Sequence, residues 1–247
     1  MNMLRGYYIA ASGMLNQQKN LNAISNNIAN SQTAGYKGDR AVQNTFNEQL
    51  ILVQEMQKTS GSFSSLYTDV SYTNLTQGTL EMTESPFDVA IIGSAWFNVA
   101  GQNGNTLLTR NGQWAIDDEG YLSLGGQGRI LGEGGEIQLG RSDFAISEKG
   151  VITLNDGTYI DTLLLTQITE DAEMTKVGEN MYTAPDGAAN PPDAKVAVLQ
   201  GAFEKSNVDV AYEMSRAMEV QRVFEACSSA LRMIDQINSQ STSIGKL

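Results

Sequence analysis

The side chains that most often carry out chemistry in proteins are scarce in this chain. It has 247 residues, of which none is His and one, Cys227, is Cys. The lack of His excludes a His-based catalytic triad, a His proton shuttle and a His-ligated zinc or haem site. A single Cys excludes Cys-rich zinc sites, four-cysteine iron–sulfur clusters and a disulfide within the chain. We therefore expect that the protein uses no metal and no other cofactor.

Carboxylates are the remaining candidates for catalysis. Asp88, Asp156 and Asp161 are candidates for a glycosidase pair, whose two carboxyl groups must lie about 5–10 Å apart. Residues 117–119 are acidic, but they lack the alternating acids and the distal Glu of a calcium-binding loop. Gly120 follows them, which is typical of a hairpin turn. We interpret these acids as turn residues and predict that the protein is not an enzyme.

Seven glycines lie within residues 125–140. They do not match the Gly-x-Gly-x-x-Gly pattern of dinucleotide-binding loops, because the residue three positions after Gly128 is Leu131. No segment of the chain has the spacing of a Walker-type phosphate loop either. The glycines therefore indicate tight turns between short strands, and we expect no small-molecule substrate.

Two tryptophans and the single cysteine complete the set of candidate residues. Trp96 and Trp114 lie in segments with the spacing of strands, which predicts core positions and not a platform for a ligand. Cys227 falls on an apolar helical row, which predicts a buried and unreactive thiol. None of these residues predicts a binding site.

The charge of the chain is negative and unevenly distributed. It carries 16 Lys and Arg against 28 Asp and Glu, a net charge of −12. This excess argues against nucleic-acid binding, which needs clustered basic side chains. Residues 51–200 have a net charge of −13, whereas residues 1–50 and 201–247 have net charges of +2 and −1. The nearly neutral ends can pack closely on other helices, and the acidic middle favours contact with solvent.

Both ends of the chain are predicted to be helical. Residues 4–30 place apolar side chains at intervals of three and four, and residues 205–244 contain neither Gly nor Pro. Ser206 opens a capping pattern and is predicted to be the N-cap of the second helix. Each helix has one apolar row, which needs a partner in the β domain or in another subunit. The rows, which we predict to be assembly surfaces, are Leu4, Tyr7, Ala11, Met14, Leu21 and Ile28 in the first helix, and Ala217, Val220, Phe224, Leu231 and Ile234 in the second.

The middle of the chain has the pattern of an antiparallel β domain. Short segments of alternating polarity, such as residues 87–91, recur about every ten residues and are separated by turn formers. The fold class is therefore predicted to be α+β, with an antiparallel all-β domain inserted between two terminal helices that pair as a coiled coil. The predicted domains are terminal helices at residues 1–35 and 205–247, an extended arm at 36–75 and the β domain at 76–204.

Three stretches of the chain carry motifs of one protein family. The first consists of Asn26, Asn27, Ala29, Asn30, Thr33, Gly35, Tyr36 and Lys37. The second consists of Thr76-Gln77-Gly78-Thr79-Leu80, followed later by Thr109-Arg110-Asn111-Gly112. The third consists of Ser206, Asn207, Val208 and Asp209, preceded by Glu204-Lys205. In this order the stretches resemble the flagellar basal-body rod and hook proteins, and the resemblance spans most of the chain.

The resemblance implies a structural role in bacterial motility. In that family the terminal helices of many subunits pack as coiled coils into a tubular axial structure, and the β domain makes lateral contacts outside it. The chain is then expected to polymerise with itself and with other rod and hook proteins into the drive shaft between motor and hook. The length of 247 residues and the short segment between Lys37 and Thr76 favour a proximal-type rod subunit, with a distal rod subunit as the alternative.

The resemblance also implies how and where the protein is delivered. The N-terminus has no uninterrupted apolar core and no clear cleavage site, so a cleaved secretory signal is not predicted. No run of 18 apolar residues occurs, so no membrane-spanning segment is predicted. We expect export through the flagellar type III apparatus and a location in the basal body outside the cytoplasmic membrane, in the periplasm or the cell-wall layer.

Two other functions are weighed beside the rod subunit. A secreted carbohydrate-binding or carbohydrate-cleaving β protein would use the acids and the two tryptophans. An unrelated coiled-coil scaffold or adhesin would use the apolar helical rows. Glycan turnover that is lost on replacing Asp88 or Asp156 would favour the first, and complete basal bodies in cells that lack the protein would favour the second.

Overall fold

The computed structural model describes residues 2–42, 70–101, 104–169, 174–178, 180–185 and 187–244. For residues 2–9, 42, 70–71 and 241–244 it describes the backbone alone. The chain folds into two compact units. The first, which we call the helical unit, consists of Met1–Ala29, Gly38–Asn74 and Asp209–Leu247. The second, which we call the strand unit, consists of Asn30–Lys37 and Leu75–Val208.

The helical unit contains two long helices that pack against each other. Helix α1 spans Asn2–Ala29, and helix α2 spans Val210–Ile244. Both agree with the predicted helices within a few residues at each described end, because apolar rows at helical spacing and the absence of Gly and Pro from α2 favour this conformation. Within the described residues, no helix combines the length and the apolar content needed to cross a bilayer.

The N-cap of α2 is Asp209. Its Oδ1 accepts hydrogen bonds from the backbone amides of Ala211 (2.9 Å) and Tyr212 (3.2 Å), which have no partner inside the helix. The prediction that Ser206 is the N-cap is wrong. Ser206 Oγ accepts instead from the amide of Val208 at 3.3 Å, in the turn that precedes the helix.

Two short strands complete the described part of the helical unit. Strand β1 spans Asp39–Val42 and strand β2 spans Val70–Thr73, and they pair antiparallel. Thr73 Oγ1 donates a hydrogen bond to Asp39 Oδ1 at 2.7 Å and so reinforces the pair. The two ends of the predicted arm are therefore paired with each other, and residues 43–69 lie outside the described residues.

The strand unit contains seventeen strands within its described residues. They are β3 Leu80–Met82, β4 Val89–Ile92, β5 Ala95–Ala100, β6 Thr106–Thr109, β7 Ala115–Ile116, β8 Leu122–Ser123, β9 Arg129–Gly132, β10 Gly135–Glu136, β11 Phe144–Ile146, β12 Val151–Leu154, β13 Tyr159–Thr162, β14 Leu165–Ile168, β15 Thr175–Gly178, β16 Met181–Thr183, β17 Ala189–Asn190, β18 Ala197–Gln200 and β19 Ala202–Glu204. Their short length follows from the frequent turn formers between alternating segments.

A ten-stranded antiparallel sheet forms the centre of the strand unit. Its main order is β15-β16-β6-β5-β9-β8-β7. One edge of β5 pairs with β6, and the other edge is shared, because β14 pairs with its first half and β9 with its second half. Strands β11, β12 and β13 form a separate sheet, β18 pairs with β4, and β19 pairs with β3.

Neighbouring residues of β5 place their side chains in two different apolar clusters. Phe97 lies in the larger cluster, where its ring meets the edge of Trp114 with centroids 4.8 Å apart. Trp96 points to the opposite face and packs with Leu108 and Tyr182, the Tyr182 ring centroid lying 5.1 Å away. The prediction that Trp96 and Trp114 are core residues is confirmed, since both are buried.

The acidic run at residues 117–119 forms the turn between β7 and β8, as predicted. Asp117 Oδ1 accepts hydrogen bonds from the amides of Glu119 (3.0 Å) and Tyr121 (2.8 Å), and Gly120 adopts a φ of 86°. Arg129 binds the carboxylates of Asp117 (2.8 Å) and Glu119 (2.6 Å). These acids are therefore occupied by an arginine.

Candidate functional site

Charged residues from the motif stretches meet in one buried group within the strand unit. We call Lys37, Arg110 and Glu204 the ionic cluster. Their side chains are 0, 3 and 1% exposed. Lys37 ends the first motif stretch, Arg110 follows β6 in the second, and Glu204 ends β19 just before the third. Residues distant in sequence are thus brought together by the fold of the strand unit.

Glu204 is the centre of the ionic cluster. It lies opposite Leu80 in the β19–β3 pair, which fixes its backbone. Its Oε1 accepts hydrogen bonds from Lys37 Nζ at 2.5 Å and from the amide of Gly78 at 2.8 Å, and its Oε2 accepts from Arg110 Nη1 at 3.1 Å. One carboxylate therefore balances two buried cations, which leaves one positive charge in excess in the cluster.

Lys37 is held from two sides. Besides its bond to Glu204, its Nζ donates to the carbonyl oxygen of Thr76 at 2.7 Å. Burial lowers the pKa of Lys37, while the charge and the hydrogen bond of Glu204 raise it and the charge of Arg110 lowers it further. The charged form of Lys37 in this dry environment therefore depends on Glu204.

Arg110 joins the cluster to the core of the strand unit. Its Nη2 donates to the carbonyl oxygen of Gly93 at 2.7 Å, and its guanidinium carbon lies 5.1 Å from the ring centroid of Trp96. Burial lowers the pKa of Arg110, and Glu204 opposes this effect. A guanidinium stays protonated in proteins, so Arg110 contributes a fixed positive charge that needs the Glu204 carboxylate.

The glycine of the first motif stretch is required by two independent features. Gly35 has a φ of 67°, a conformation that side chains with a Cβ adopt rarely. A Cβ at this position would also lie 2.3 Å from the backbone nitrogen of Asn111. The Gly35 amide also donates a hydrogen bond to the carbonyl oxygen of Glu204 at 2.7 Å. Gly78 is equally confined, because a Cβ there would lie 2.1 Å from the carbonyl oxygen of Lys205.

Asn207 and Tyr36 extend the cluster toward the end of the strand unit. The amide of Asn207 donates to the carbonyl oxygen of Tyr36 at 3.4 Å, and its Nδ2 donates to that of Thr76 at 3.0 Å. The Tyr36 ring is buried, with Lys176 Nζ at 4.3 Å from its centroid. The carbonyl oxygen of Thr76 therefore accepts from both Lys37 and Asn207.

The other residues of the first motif stretch have smaller roles. Thr33 donates its amide to the carbonyl oxygen of Asn30 at 3.1 Å and its hydroxyl to Asn30 Oδ1 at 3.3 Å, which closes a turn. Asn26 and Ala29 are exposed on the last turns of α1. Only part of the motif therefore reaches the cluster.

Asn27 serves the helical unit instead. It is buried in α1 and exchanges two hydrogen bonds with the backbone of Asp39: its Nδ2 donates to the carbonyl oxygen at 2.8 Å, and its Oδ1 accepts from the amide at 2.9 Å. The side-chain amide thus supplies the partner that a neighbouring strand would give to the first residue of β1.

Replacing Asn27 with Ala is expected to destabilise this attachment by about 1–3 kcal/mol, because the amide and carbonyl of Asp39 lose their partners. Amide hydrogen exchange of Asp39 in the full chain measures the effect, and we expect an acceleration of about tenfold or more. Asn22→Ala, at an exposed position of the same helix, is the control. Equal exchange rates in the two variants would contradict this role of Asn27.

The predicted apolar row of α2 lies on the side that contacts α1. Val220 is buried and lines a cavity of about 290 Å³ together with Gln17 and Asn20 of α1. Cys227 is half-buried, and a Cβ on Gly13 of α1 would lie 3.2 Å from its Sγ. The remaining members of the row are half-buried and are Ala217, Phe224, Leu231 and Ile234.

Helix α1 buries a different row from the predicted one. Its most buried described positions are Ala10, Asn20, Ile24 and Asn27. This row includes two amides, so hydrophobicity alone does not mark it. The predicted row lies beside it, with half-buried side chains at Ala11, Met14, Leu21 and Ile28. The side chains of Leu4 and Tyr7 lie outside the described residues.

Large apolar side chains remain exposed on the outside of both helices. We call the following residues the outer apolar positions: Leu15 of α1, and Met214, Met218, Met233 and Ile237 of α2. Met218 and Met233 are 57 and 59% exposed. A series of such residues on one element is typical of a surface that binds a partner.

The acids considered for catalysis have structural contacts. Asp88 Oδ2 accepts from the hydroxyl of Thr83 at 2.7 Å, and Asp156 Oδ1 accepts from the amide of Thr158 at 2.8 Å. Asp161 accepts from the amide of Gly134 at 3.1 Å. In the described ranges, three or more Cys, Asp or Glu side chains do not come together in a group that could hold a metal ion.

The partners of Lys37 were not identified from the sequence. Arg110 and Glu204 both stand in quoted motif stretches, which is the signal that could have pointed to them. Nothing in the local pattern pairs Lys37 with an acid that lies 167 positions further along the chain. Only the fold reveals that the motif residues are one physical group.

Three protein-family models match the chain. The model described as "Flagella basal body rod protein" matches residues 8–37, and that described as "Flagellar hook protein FlgE/F/G D1 domain" matches residues 90–180. The model described as "Flagellar basal body rod FlgEFG protein C-terminal" matches residues 199–244. Lys37, Arg110 and Glu204 each lie in a different one of these matches.

Curated relatives of similar length match nearly the whole chain. "Flagellar basal-body rod protein FlgG" of Buchnera aphidicola subsp. Acyrthosiphon pisum is 30% identical over 260 residues, covering 95% of this chain and 97% of its own. "Flagellar basal-body rod protein FlgF" of Rhizobium meliloti is 31% identical over 235 residues, covering 93% of each chain. "Flagellar hook-basal body complex protein FlhO" of Bacillus subtilis is 28% identical over 274 residues, covering 99% of this chain and 100% of its own.

Proposed function

Because the chain belongs to the family of flagellar basal-body rod proteins, we propose that it builds the rod through the outer apolar positions of its helices. The protein is a structural subunit of that rod. The partners at these positions are further copies of the chain and other axial proteins of the rod and hook. Contacts of this kind, made between different surfaces of successive subunits, do not close and so generate a helical filament.

The observation that carries the proposal is the exposure of the outer apolar positions on helices that already pair within one chain. Burying apolar surface contributes about 25 cal/mol per Å², so each of these side chains favours association. We propose that the predicted row of α2 acts before assembly, by pairing α2 with α1 within one chain. The spacing of three and four along Ala217, Val220 and Phe224 supports a coiled-coil pair that presents the outer positions to neighbours.

The proposal predicts separate effects for inner and outer positions. Met218→Asp is expected to block incorporation of the subunit into basal bodies while leaving the helix content of the isolated chain unchanged, because Met218 is exposed in one chain. A buried unpaired carboxylate at every subunit contact would cost several kcal/mol. Leu231→Asp is expected to lower the helix content as well, since Leu231 is already half-buried within one chain.

Circular dichroism of the isolated chain and electron microscopy of basal bodies measure these two effects. Ser229→Asp adds the same charge at an exposed polar position of α2 and is the matched control, which should assemble normally. Normal assembly and swimming with Met218→Asp would rule out this part of α2 as a subunit contact.

We propose a proximal-type rod subunit, with a distal rod subunit as the alternative. The length of 247 residues and the short segment after Lys37 support this position. We further propose delivery by the flagellar type III export apparatus without a cleaved signal, and a location outside the cytoplasmic membrane, in the periplasm or the cell-wall layer. Crosslinking in purified basal bodies tests the proposed subunit type and the proposed location, because it identifies the neighbouring subunits and shows whether the chain is in the rod.

We propose no catalytic role for the protein. The family consists of structural rod proteins, and the acids weighed for glycan cleavage hold turns and strands together. The resemblance in sequence and the exposed helical surface favour the rod over a carbohydrate-binding protein or an unrelated adhesin.

A further inference from the structure

The chain passes between the helical unit and the strand unit at four connections. They lie at residues 29–30, 37–38, 74–75 and 208–209. A rod subunit is a load-bearing element, and any force that travels along the chain from one unit to the other has to pass through these connections. What holds their ends within the strand unit therefore determines where that unit takes up the load.

The strand-unit ends of three connections are tied to the ionic cluster. Lys37, at the second connection, binds Glu204 and the carbonyl oxygen of Thr76 through its Nζ. Thr76 lies two residues from the third connection, and the same carbonyl oxygen accepts from Asn207 Nδ2 near the fourth. The first connection reaches the cluster through the closed turn of residues 30–33 and the bond from Gly35 to Glu204.

The two segments that lead from the cluster to the second and fourth connections, residues 35–37 and 204–208, run in the same direction. Gly35 donates to the carbonyl oxygen of Glu204, and Asn207 donates to that of Tyr36. Gly35 precedes Tyr36 in one segment, and their partners Glu204 and Asn207 follow in the same order in the other, as in a parallel pair. A force that pulls residues 38 and 209 out of the strand unit therefore acts on both segments together and has to break the contacts of Glu204, Thr76 and Asn207.

We propose that the ionic cluster is a lock that fastens the connections at one point, so that load enters the strand unit there. This role goes beyond membership in the rod. Its three charged groups are buried and aimed at one another, and water does not compete for their hydrogen bonds. Glu204 is part of β19, which pairs with β3, and its carbonyl oxygen accepts the bond from Gly35. It therefore links the connections to the sheet strands.

The lock predicts a local effect when one contact is removed. Lys37→Met in the full chain leaves Glu204 bound to Arg110 but frees the carbonyl oxygen of Thr76 from the ammonium. Hydrogen exchange should accelerate about tenfold or more at the amides of Gly35, Gly78 and Asn207, because these donate within the lock. The amides of Val99 and Ile130, in the paired strands β5 and β9, should change less than about twofold.

Glu81→Gln is the matched control. It breaks the ion pair with Lys205, which lies next to the cluster but is about half exposed. We expect unchanged exchange at the lock amides and unchanged swimming, whereas Lys37→Met should lose swimming speed selectively in viscous medium, where the load on the rod rises. If Lys37→Met does not fold, Asn207→Ala is measured in the same way, since it removes the two bonds from Asn207 Nδ2 to Thr76 and no charge. Acceleration throughout the strand unit, or none at the lock amides, overturns the proposal.

Discussion

Glu204→Gln is expected to lower the free energy of unfolding of the strand unit by about 3–5 kcal/mol. The substitution keeps the shape of the side chain and removes its charge. Arg110 is then left as a buried cation without a counter-charge, and Lys37 has to remain charged without one or lose its proton. Breaking a buried ion pair at one partner is far more harmful than losing an exposed one, because the remaining charge stays desolvated.

Chemical denaturation of the full chain, followed by tryptophan fluorescence, measures this effect. Trp96 and Trp114 both lie in the strand unit, so their signal reports on that unit. Glu81→Gln serves as the reference and should change stability by less than about 1 kcal/mol, since its ion pair with Lys205 is exposed. Equal midpoints for the two variants would show that the ionic cluster does not stabilise the strand unit.

Gly35→Ala is expected to destabilise the strand unit by about 3 kcal/mol or more. Two effects add at this position. The positive φ of 67° disfavours any residue with a Cβ by about 1–2 kcal/mol. The new Cβ would also lie 2.3 Å from the nitrogen of Asn111, so the backbone beside Arg110 would have to move, which costs about 1–3 kcal/mol.

Gly140→Ala separates these two effects. Gly140 has nearly the same φ, 63°, but no atom lies within 4 Å of the position of an added Cβ. Its substitution should therefore show the conformational penalty alone, about 1–2 kcal/mol. Denaturation midpoints of the two variants give the difference directly. If both variants lose the same free energy of unfolding, the close approach of Gly35 to Asn111 adds nothing to the cost of Gly35→Ala.

The elements of the fold were largely predictable from local patterns. The long helices follow from apolar rows and from the lack of Gly and Pro in residues 205–244, and the turn at 117–120 follows from its acids and glycine. Strand β5 was predicted because its segment follows residues 87–91 at the spacing of about ten residues that is typical of short antiparallel strands. Strands such as β15, with the sequence Thr-Lys-Val-Gly, were not predicted, because they have little apolar alternation and are defined by their neighbours in the sheet.

The faces of the elements were harder to predict than the elements. Helix α1 buries Asn20 and Asn27, which a hydrophobicity pattern assigns to the outside. The predicted N-cap of α2 was Ser206, whereas the observed one is Asp209. Both residue types cap helices, and only the geometry distinguishes them. Of the predicted row of α2, Val220 is buried and lines a cavity with α1 of the same chain, and the part of the row in assembly stays a proposal.

The candidate site was visible in the sequence only as separate motifs. A resemblance of short motifs selects residues such as Gly35 and Lys37 without saying what they contact. The ion pair between Lys37 and Glu204 needs β19 beside β3 and the bond from Gly35 to Glu204, and both are products of the complete fold. The burial of charge, which makes the cluster physically important, has no signature in a linear sequence.

The separation of 167 positions between Lys37 and Glu204 also bears on the order of folding. Contacts between distant residues raise the contact order of a fold, and such contacts form slowly because a large loop has to close. We therefore expect the ionic cluster to form late in folding, after the sheet strands between these residues have shortened the path. A chain that lacks its final strand, Ala202–Glu204, has no Glu204 carboxylate as the counter-charge for Lys37.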